Sequence, residues 1–133
     1  MKSYTDITQS KKLVEILPKE SADQTWEIIA IAGANLGVPE EMQYWHNGNT
    51  PCILNSKIGI PCWSLSALLD YLAKKDCFPE ITYTSTYYLM DVNFYDDEEG
   101  KTVHPIHFIR TEGESLIDTC VEMIIRLKED NLI

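Results

Sequence analysis

Cys62 is the residue whose type and position come closest to a catalytic pattern. It lies just before a segment that predicts a helix, and the positive potential at a helix N-terminus lowers the pKa of a thiol and favours the reactive thiolate. A histidine that the fold brings close (His46, His104 or His107) would then act as the base. Single Cys and His residues without a spaced signature are common, so a buried apolar role beside Trp63 is the more frequent outcome. The sequence therefore favours a protein that is not an enzyme, with Cys62 and His104 as the catalytic candidates if it is one.

The sequence contains no spaced set of metal ligands and no cofactor motif. His104 and His107 are three residues apart, so on a strand they point to opposite faces and cannot hold one ion together. The acidic run at residues 96–99 lacks the spaced oxygens of a calcium loop and is typical of a solvated turn. The glycine-containing segment from Gly33 to Gly37 has neither the lysine nor the glycine spacing of a phosphate-binding loop. We expect neither a metal nor a cofactor.

Length and charge exclude several classes of function. A chain of 133 residues with 44% hydrophobic and 24% charged residues predicts one domain over residues 1–133. The formal net charge of −10 and the scattered basic residues exclude a nucleic-acid backbone as partner. No apolar run approaches the roughly 20 residues of a membrane span, and the N-terminus lacks the apolar core of a secretion signal. We therefore expect a cytoplasmic protein with no membrane partner, whose four cysteines are free thiols.

Two regions are candidate binding surfaces. Residues 33–59 form a long irregular stretch that includes Trp45, and such stretches in small proteins are functional or mobile. Tyr87 and Tyr95 belong to a larger set of aromatic residues than one core needs, and Tyr and Trp favour interfaces. Ordinary decoration of a sheet also explains the tyrosines, because they are favoured on strands. Trp45, Tyr87 and Tyr95 are the predicted binding residues for an unidentified protein partner, and the oligomeric state stays open.

Local patterns predict the elements of the first two thirds of the chain. Asp6 and Gln9 predict a capped helix over residues 7–17. Residues 26–32 predict a strand, and a helix capped by Ser21 and Gln24 stays an alternative because so short an apolar run fits both. Residues 52–54 predict a short edge strand. Ser64 predicts the cap of an amphipathic helix buried through its leucines, and residues 81–89 predict a strand region.

The last third of the chain predicts a hairpin and a closing helix. A three-residue loop between Asp97 and Lys101 sets a register in which Val92 faces Ile106 and Met90 faces Phe108 on the core side. The same register places Ile109 on the outer face, and His107 there opposite Asp91. Ser115, with Asp118 three residues on, predicts an acidic variant of the capping box at the start of a long helix with a broad apolar face.

The segment Ile60-Pro61-Cys62-Trp63-Ser64-Leu65 leads into a leucine-rich helix. Together with the acidic hairpin and the helix from Ser115 to Leu127, it resembles small uncharacterised proteins of bacterial genomes and mobile elements. The resemblance covers roughly residues 10–20 and 60–130 and implies an α+β fold without an assigned activity. We expect a small antiparallel sheet of three to five strands, with helices mainly on one face and a closing C-terminal helix. The hypothesis for function is a protein-interaction or accessory module of a mobile element or its host, and the alternative is a Cys62-dependent enzyme or thiol-reactive protein.

Overall fold

The structure is a computed structural model that describes most, but not all, of the chain. It describes residues 2–26, 52–53, 60–95 and 105–133, without the side chains of 52, 53, 95 and 105–108. Internal contacts divide the chain into an N-terminal unit (residues 3–68) and a C-terminal unit (residues 69–133 with 1–2). Helices and antiparallel strands occur together, so the α+β class and the C-terminal helix are confirmed. The described strands form two sheets of three strands each. The expectation of one domain stays a prediction.

The N-terminal unit begins with helix α1, Ile7–Ile16, as the cap residues predict. The Asp6 carboxylate accepts from the backbone N–H of Gln9, and the Gln9 side chain accepts from the backbone N–H of Asp6. This reciprocal capping box satisfies two N–H groups that no helical carbonyl reaches. The helix ends at Leu17, one residue before Pro18.

Three short strands complete this unit. They are β1 (Gln24–Trp26), β2 (Cys52–Ile53) and β3 (Ile60–Cys62), in the antiparallel order β2–β1–β3. β2 confirms the predicted edge strand over its two described residues. The strand predicted at 26–32 begins earlier, at Gln24, and its part beyond Trp26 lies outside the described residues. Ser21 does not cap a helix at this point, because it ends a short 3-10 turn, Lys19–Ser21.

Helix α2, Leu65–Lys74, has the predicted cap and the predicted buried side. The Ser64 hydroxyl accepts from the backbone N–H of Ala67, and Leu68 and Leu72 are fully buried. At the other end, Asp76 adopts the left-handed conformation with a φ of 54°. The backbone N–H groups of the next turn then bond back to the last carbonyls, which forms a Schellman motif.

The C-terminal unit is a three-stranded antiparallel sheet covered by a helix. Its strands, in the spatial order β4–β5–β6, are Glu80–Tyr83, Tyr88–Tyr95 and Pro105–Gly113. Helix α3, Leu116–Glu129, packs on β6 and β5, and the Ser115 hydroxyl accepts from the backbone N–H of Asp118 as predicted. The residues buried between sheet and helix are Met90, Val92, Ile109, Ile117, Cys120, Met123, Ile124 and Leu127.

The predicted register of β5 and β6 is wrong by three residues. Val92 pairs with Ile109, not with Ile106, and Asp91 pairs with Arg110, not with His107. An odd shift exchanges the two faces of a strand, so Ile109 lies in the core, whereas the prediction placed it outside.

The loop length used for counting causes this error. A loop between Asp97 and Lys101 would place Tyr95 opposite Val103, but Tyr95 pairs with Pro105, and the ladder also shifts by one residue between Phe94 and Tyr95. On the β5 side the prediction is correct, since Met90 and Val92 are buried. The turn residues and the side chains of Ile106 and Phe108 lie outside the described part of the chain.

Candidate functional site

Cys62 lies in a closed polar cluster in the core of the N-terminal unit. The side chains of Thr5, Ser10, Cys62 and Trp63 are all fully buried. The Thr5 hydroxyl lies 2.8 Å from that of Ser10 and accepts from the backbone N–H of Trp63 at 3.1 Å. The Cys62 thiol lies 3.3 Å from the Thr5 carbonyl, which also accepts from the indole N–H of Trp26. Cys62 has no exposed surface, so a substrate cannot reach its sulfur without opening the core.

The expectation of a lowered pKa at Cys62 is wrong. Burial raises the pKa of the Cys62 thiol to about 11. Hydrogen bonds with Thr5 and Ser10 oppose the rise, and the negative charge of Asp23 adds to it. The Asp23 carboxylate also accepts from the backbone N–H and the hydroxyl of Ser64, so it offsets the positive potential at the start of α2. Cys62 therefore stays a protonated thiol at neutral pH.

The other chemical candidates do not form a reactive centre in the described residues. Cys77 and Cys120 are free and buried, and burial raises the pKa of both thiols. His46 and His104 lie outside the described residues, as does the side chain of His107. Within the parts of the chain that the structure describes, no group of three or more His, Cys, Asp or Glu side chains is placed to hold a metal ion.

Among the described residues, the two large apolar side chains with the highest exposure lie on or just before β4, the edge strand of the C-terminal sheet. All four residues of β4 are exposed. Phe78, Tyr83 and Ile81 expose 74%, 64% and 40% of their surface, respectively. We call these three side chains, together with the outer backbone edge of β4, the β4 edge surface. Large apolar side chains grouped in this way mark interaction sites more often than single exposed ones.

A tight turn fixes the direction of the backbone groups in β4. Thr84 donates its backbone N–H to the carbonyl of Tyr87 at 2.8 Å, and the Thr84 hydroxyl accepts from the backbone N–H of Tyr87. Along an antiparallel ladder, residues alternate between pairs that exchange hydrogen bonds and pairs that do not. Counting back from this turn, Thr82 turns its backbone groups toward β5. Ile81 and Tyr83 therefore turn their N–H and C=O groups toward the outer edge.

The side chains of Ile81 and Tyr83 lie on the face of the sheet that α3 covers elsewhere. Ile81 pairs with Met90, which is fully buried, and Tyr83 pairs with Tyr88. The Tyr83 and Tyr88 ring centroids are 4.7 Å apart, as expected for a pair without ladder hydrogen bonds, in which side chains approach closely. Because α3 packs on β6 and β5, β4 extends beyond the helix, and the side chains of Ile81 and Tyr83 stay uncovered on this face, which we call the shelf face.

The opposite edge of the same sheet has one of its outward backbone groups covered. The alternation that turns Ile81 outward also places the carbonyl of Arg110 on the outer side of β6, and the Arg126 guanidinium donates to this carbonyl at 2.7 Å. No comparable side-chain hydrogen bond covers Ile81 or Tyr83 in the described part of the chain. Exposed edges invite pairing with another strand, and natural proteins cover those that must stay single.

The predicted binding residues coincide only in part with this surface. Tyr87 is exposed by 37% and lies on the face opposite Tyr83. Trp45 and the side chain of Tyr95 lie outside the described residues, so their roles stay predictions. Sequence reasoning missed Phe78 and Ile81 as surface residues, and it counted Tyr83 among the surplus aromatic residues without including it in the predicted binding residues.

The single strand region predicted over residues 81–89 is instead a hairpin, in which β4 ends at Tyr83 and β5 begins at Tyr88, and this hairpin did have a sequence signal. It is the Thr84-Ser85-Thr86 run, since Ser and Thr hydroxyls close turns without Gly or Pro.

Comparisons of the chain with protein-family models, with curated proteins and with solved structures give no match. Among the described residues, no helix combines the length and the hydropathy that a membrane crossing requires.

Proposed function

We propose that the chain is a non-enzymatic protein-interaction module that binds a protein partner through the β4 edge surface. One observation carries the proposal. β4 ends its sheet with all four residues exposed and presents Ile81 and Tyr83 both as apolar side chains and as outward backbone groups. Strand addition to such an edge uses main-chain hydrogen bonds for affinity and alternate side chains for specificity.

The chemistry of the core supports a binding role over the thiol-based alternative. Cys62, Cys77 and Cys120 are buried, and their thiols are protonated at neutral pH. A nucleophilic cysteine requires a lowered pKa and access to its substrate. An accessory role in a mobile element or its host is compatible with a small acidic binding module and belongs to the same proposal.

The test is capture of a partner by variants that change only side chains of the β4 edge surface. Wild-type protein, the double variant Ile81→Ser/Tyr83→Ser and the control Val14→Ser are immobilised and exposed to a bacterial lysate, and the bound proteins are quantified by mass spectrometry. Val14 is a matched control because it is an exposed branched side chain on α1, 41% exposed against 40% for Ile81. The most enriched protein is then purified and titrated against each variant.

We expect at least one protein that wild type and Val14→Ser bind equally and that the double variant binds about thirtyfold more weakly. Loss of two apolar anchors of about 1 kcal/mol each corresponds to a change of that size. Circular dichroism melts should agree within a few degrees, since exposed substitutions change stability little. Equal capture by wild type and the double variant, or equal affinity of the purified protein for both, would contradict the proposal.

A further inference from the structure

The two faces of β4 differ in chemistry, and this difference specifies a ligand. The shelf face carries Ile81 and Tyr83, as described above. The other face carries Glu80 and Thr82, which pair with Asp91 and Leu89 of β5. A strand added outside β4 would therefore meet apolar side chains on one face and an acidic, polar surface on the other.

The acidic face has an unmatched charge at its edge. Asp91 already binds Arg110 in a two-pronged ion pair, with N–O distances of 2.6 and 3.0 Å. Glu80 is exposed and forms no ion pair in the described part of the chain. A Lys or Arg side chain on the neighbouring strand would supply the missing positive charge, because opposite charges on adjacent strands attract.

The geometry and charge point to one occupant. We infer that the partner presents an extended segment with alternating apolar and basic residues, which adds antiparallel to β4 as a fourth strand. This inference rests on the proposed function and specifies the partner's chemistry. The apolar residues of the segment lie beside Ile81 and Tyr83 and exchange hydrogen bonds with them, while its basic residues lie on the side of Glu80.

A second copy of this chain fits the edge less well. Antiparallel self-pairing sets Ile81 against Tyr83 of the other copy, which satisfies the apolar face. The same pairing sets Glu80 against Thr84 and brings no cation to it. Each copy also carries a net charge of −10, and like-charged chains repel. A basic segment removes both difficulties.

A designed peptide tests the inference directly. The probe is a dye-labelled, end-blocked heptapeptide, Lys-Val-Lys-Val-Lys-Val-Lys, whose binding to the full chain is measured by fluorescence anisotropy. Its controls are the peptide with Glu in place of Lys and the block peptide Lys-Lys-Val-Val-Val-Lys-Lys of the same composition. Two further versions carry one backbone N-methyl group, on the central valine or on a neighbouring lysine.

Antiparallel addition makes opposite predictions for the two N-methyl peptides. Residues that pair with Ile81 and Tyr83 place their side chains on the shelf face, so the valine N–H groups point at β4 and the lysine N–H groups point away. We expect N-methylation of the central valine to weaken binding about tenfold or more and N-methylation of lysine to leave it within about twofold. We expect Glu80→Gln to weaken binding about two- to fivefold, since a cross-strand pair contributes modestly.

Several outcomes would overturn the inference. One is a glutamate peptide or a block peptide that binds as tightly as the lysine–valine peptide. Another is a larger loss of affinity from N-methylation of lysine than from N-methylation of valine. Light scattering that shows a dimer abolished by Ile81→Lys would assign the edge to a second copy instead. If lysate capture depends on Ile81 and Tyr83 but the lysine–valine peptide does not bind, the inference fails and the proposed function stands. If lysate capture does not depend on Ile81 and Tyr83 and the lysine–valine peptide does not bind, the inference and the proposed function both fail.

Discussion

The Thr5 hydroxyl is the centre of the polar cluster in the N-terminal unit, and removing it should be costly. Thr5→Val keeps the shape of the side chain and removes only the hydroxyl. The backbone N–H of Trp63 then loses its acceptor, and the Ser10 hydroxyl loses a partner, with both groups buried. A buried polar group without a partner costs about 1–3 kcal/mol, so we expect the variant to be about 2–4 kcal/mol less stable.

Urea unfolding followed by tryptophan fluorescence measures this change. Trp26 and Trp63 are buried beside Thr5, so their emission reports the unit that the substitution affects. Thr5→Ser keeps the hydroxyl and loses one methyl group, which should cost about 1 kcal/mol. Thr82→Val makes the same chemical change as Thr5→Val at an exposed site and should stay within about 0.5 kcal/mol of wild type.

A double-mutant cycle separates the hydroxyl pair from the rest of the cluster. Ser10→Ala removes one member, and the double variant Thr5→Val/Ser10→Ala removes both. The double variant should be about 1–2 kcal/mol more stable than the sum of the single changes implies, because no unpaired hydroxyl remains at Ser10. A Thr5→Val variant within 0.5 kcal/mol of wild type, or strictly additive changes, would refute the assigned hydrogen bonds.

Two further predictions concern the thiols and a helix end. The unfolded Cys62 thiol loses its proton near pH 9, whereas the folded one keeps it until about pH 11, so stability present below pH 9 is lost as the pH rises through this window. The free energy of unfolding should fall by up to about 1.4 kcal/mol per pH unit more steeply in wild type than in Cys62→Ala, and parallel urea curves from pH 8 to 11 would contradict this. At the end of α2, Asp76→Gly should raise stability by about 0.5–1 kcal/mol because a φ of 54° favours glycine. Asp130→Gly, at a φ of −87°, should lower stability in the same thermal melts, and shifts in the same direction would refute the assignment.

Helix caps could be predicted from the sequence because the residues that make them are three positions apart. Asp6 with Gln9, and Ser115 with the backbone of Asp118, form in the structure as their spacing predicts. Such hydrogen bonds depend on local chain geometry alone, so no knowledge of the remaining fold is needed.

Strand register and the state of Cys62 depend on distant parts of the chain and were not predictable in this way. The register of β5 and β6 was counted from one turn, and a small difference in loop length changed every pair and exchanged the faces of β6. The pKa of Cys62 follows from its burial and from Asp23, which lies 39 positions earlier in the sequence.

The edge of the C-terminal sheet illustrates the same limit for the candidate site. Alternation of residues predicts which side chains of a strand share a face, but not which strand ends a sheet. Ile81 and Tyr83 alternate like the core residues Met90 and Val92, yet the first pair is exposed and the second is buried. Only the position of β4 beyond α3 distinguishes them.

The Arg126 guanidinium of α3, which binds the outward carbonyl of Arg110 on β6, hinders edge-to-edge association at that side of the C-terminal sheet. A sheet that can accept neighbours on both sides can polymerise without end, as amyloid does. In this sheet Arg126 occupies one carbonyl on the β6 side, whereas no such hydrogen bond covers the β4 side among the described residues. Strand addition is therefore favoured at β4 over β6, so the chain can offer one edge for recognition with a lower tendency to form fibres.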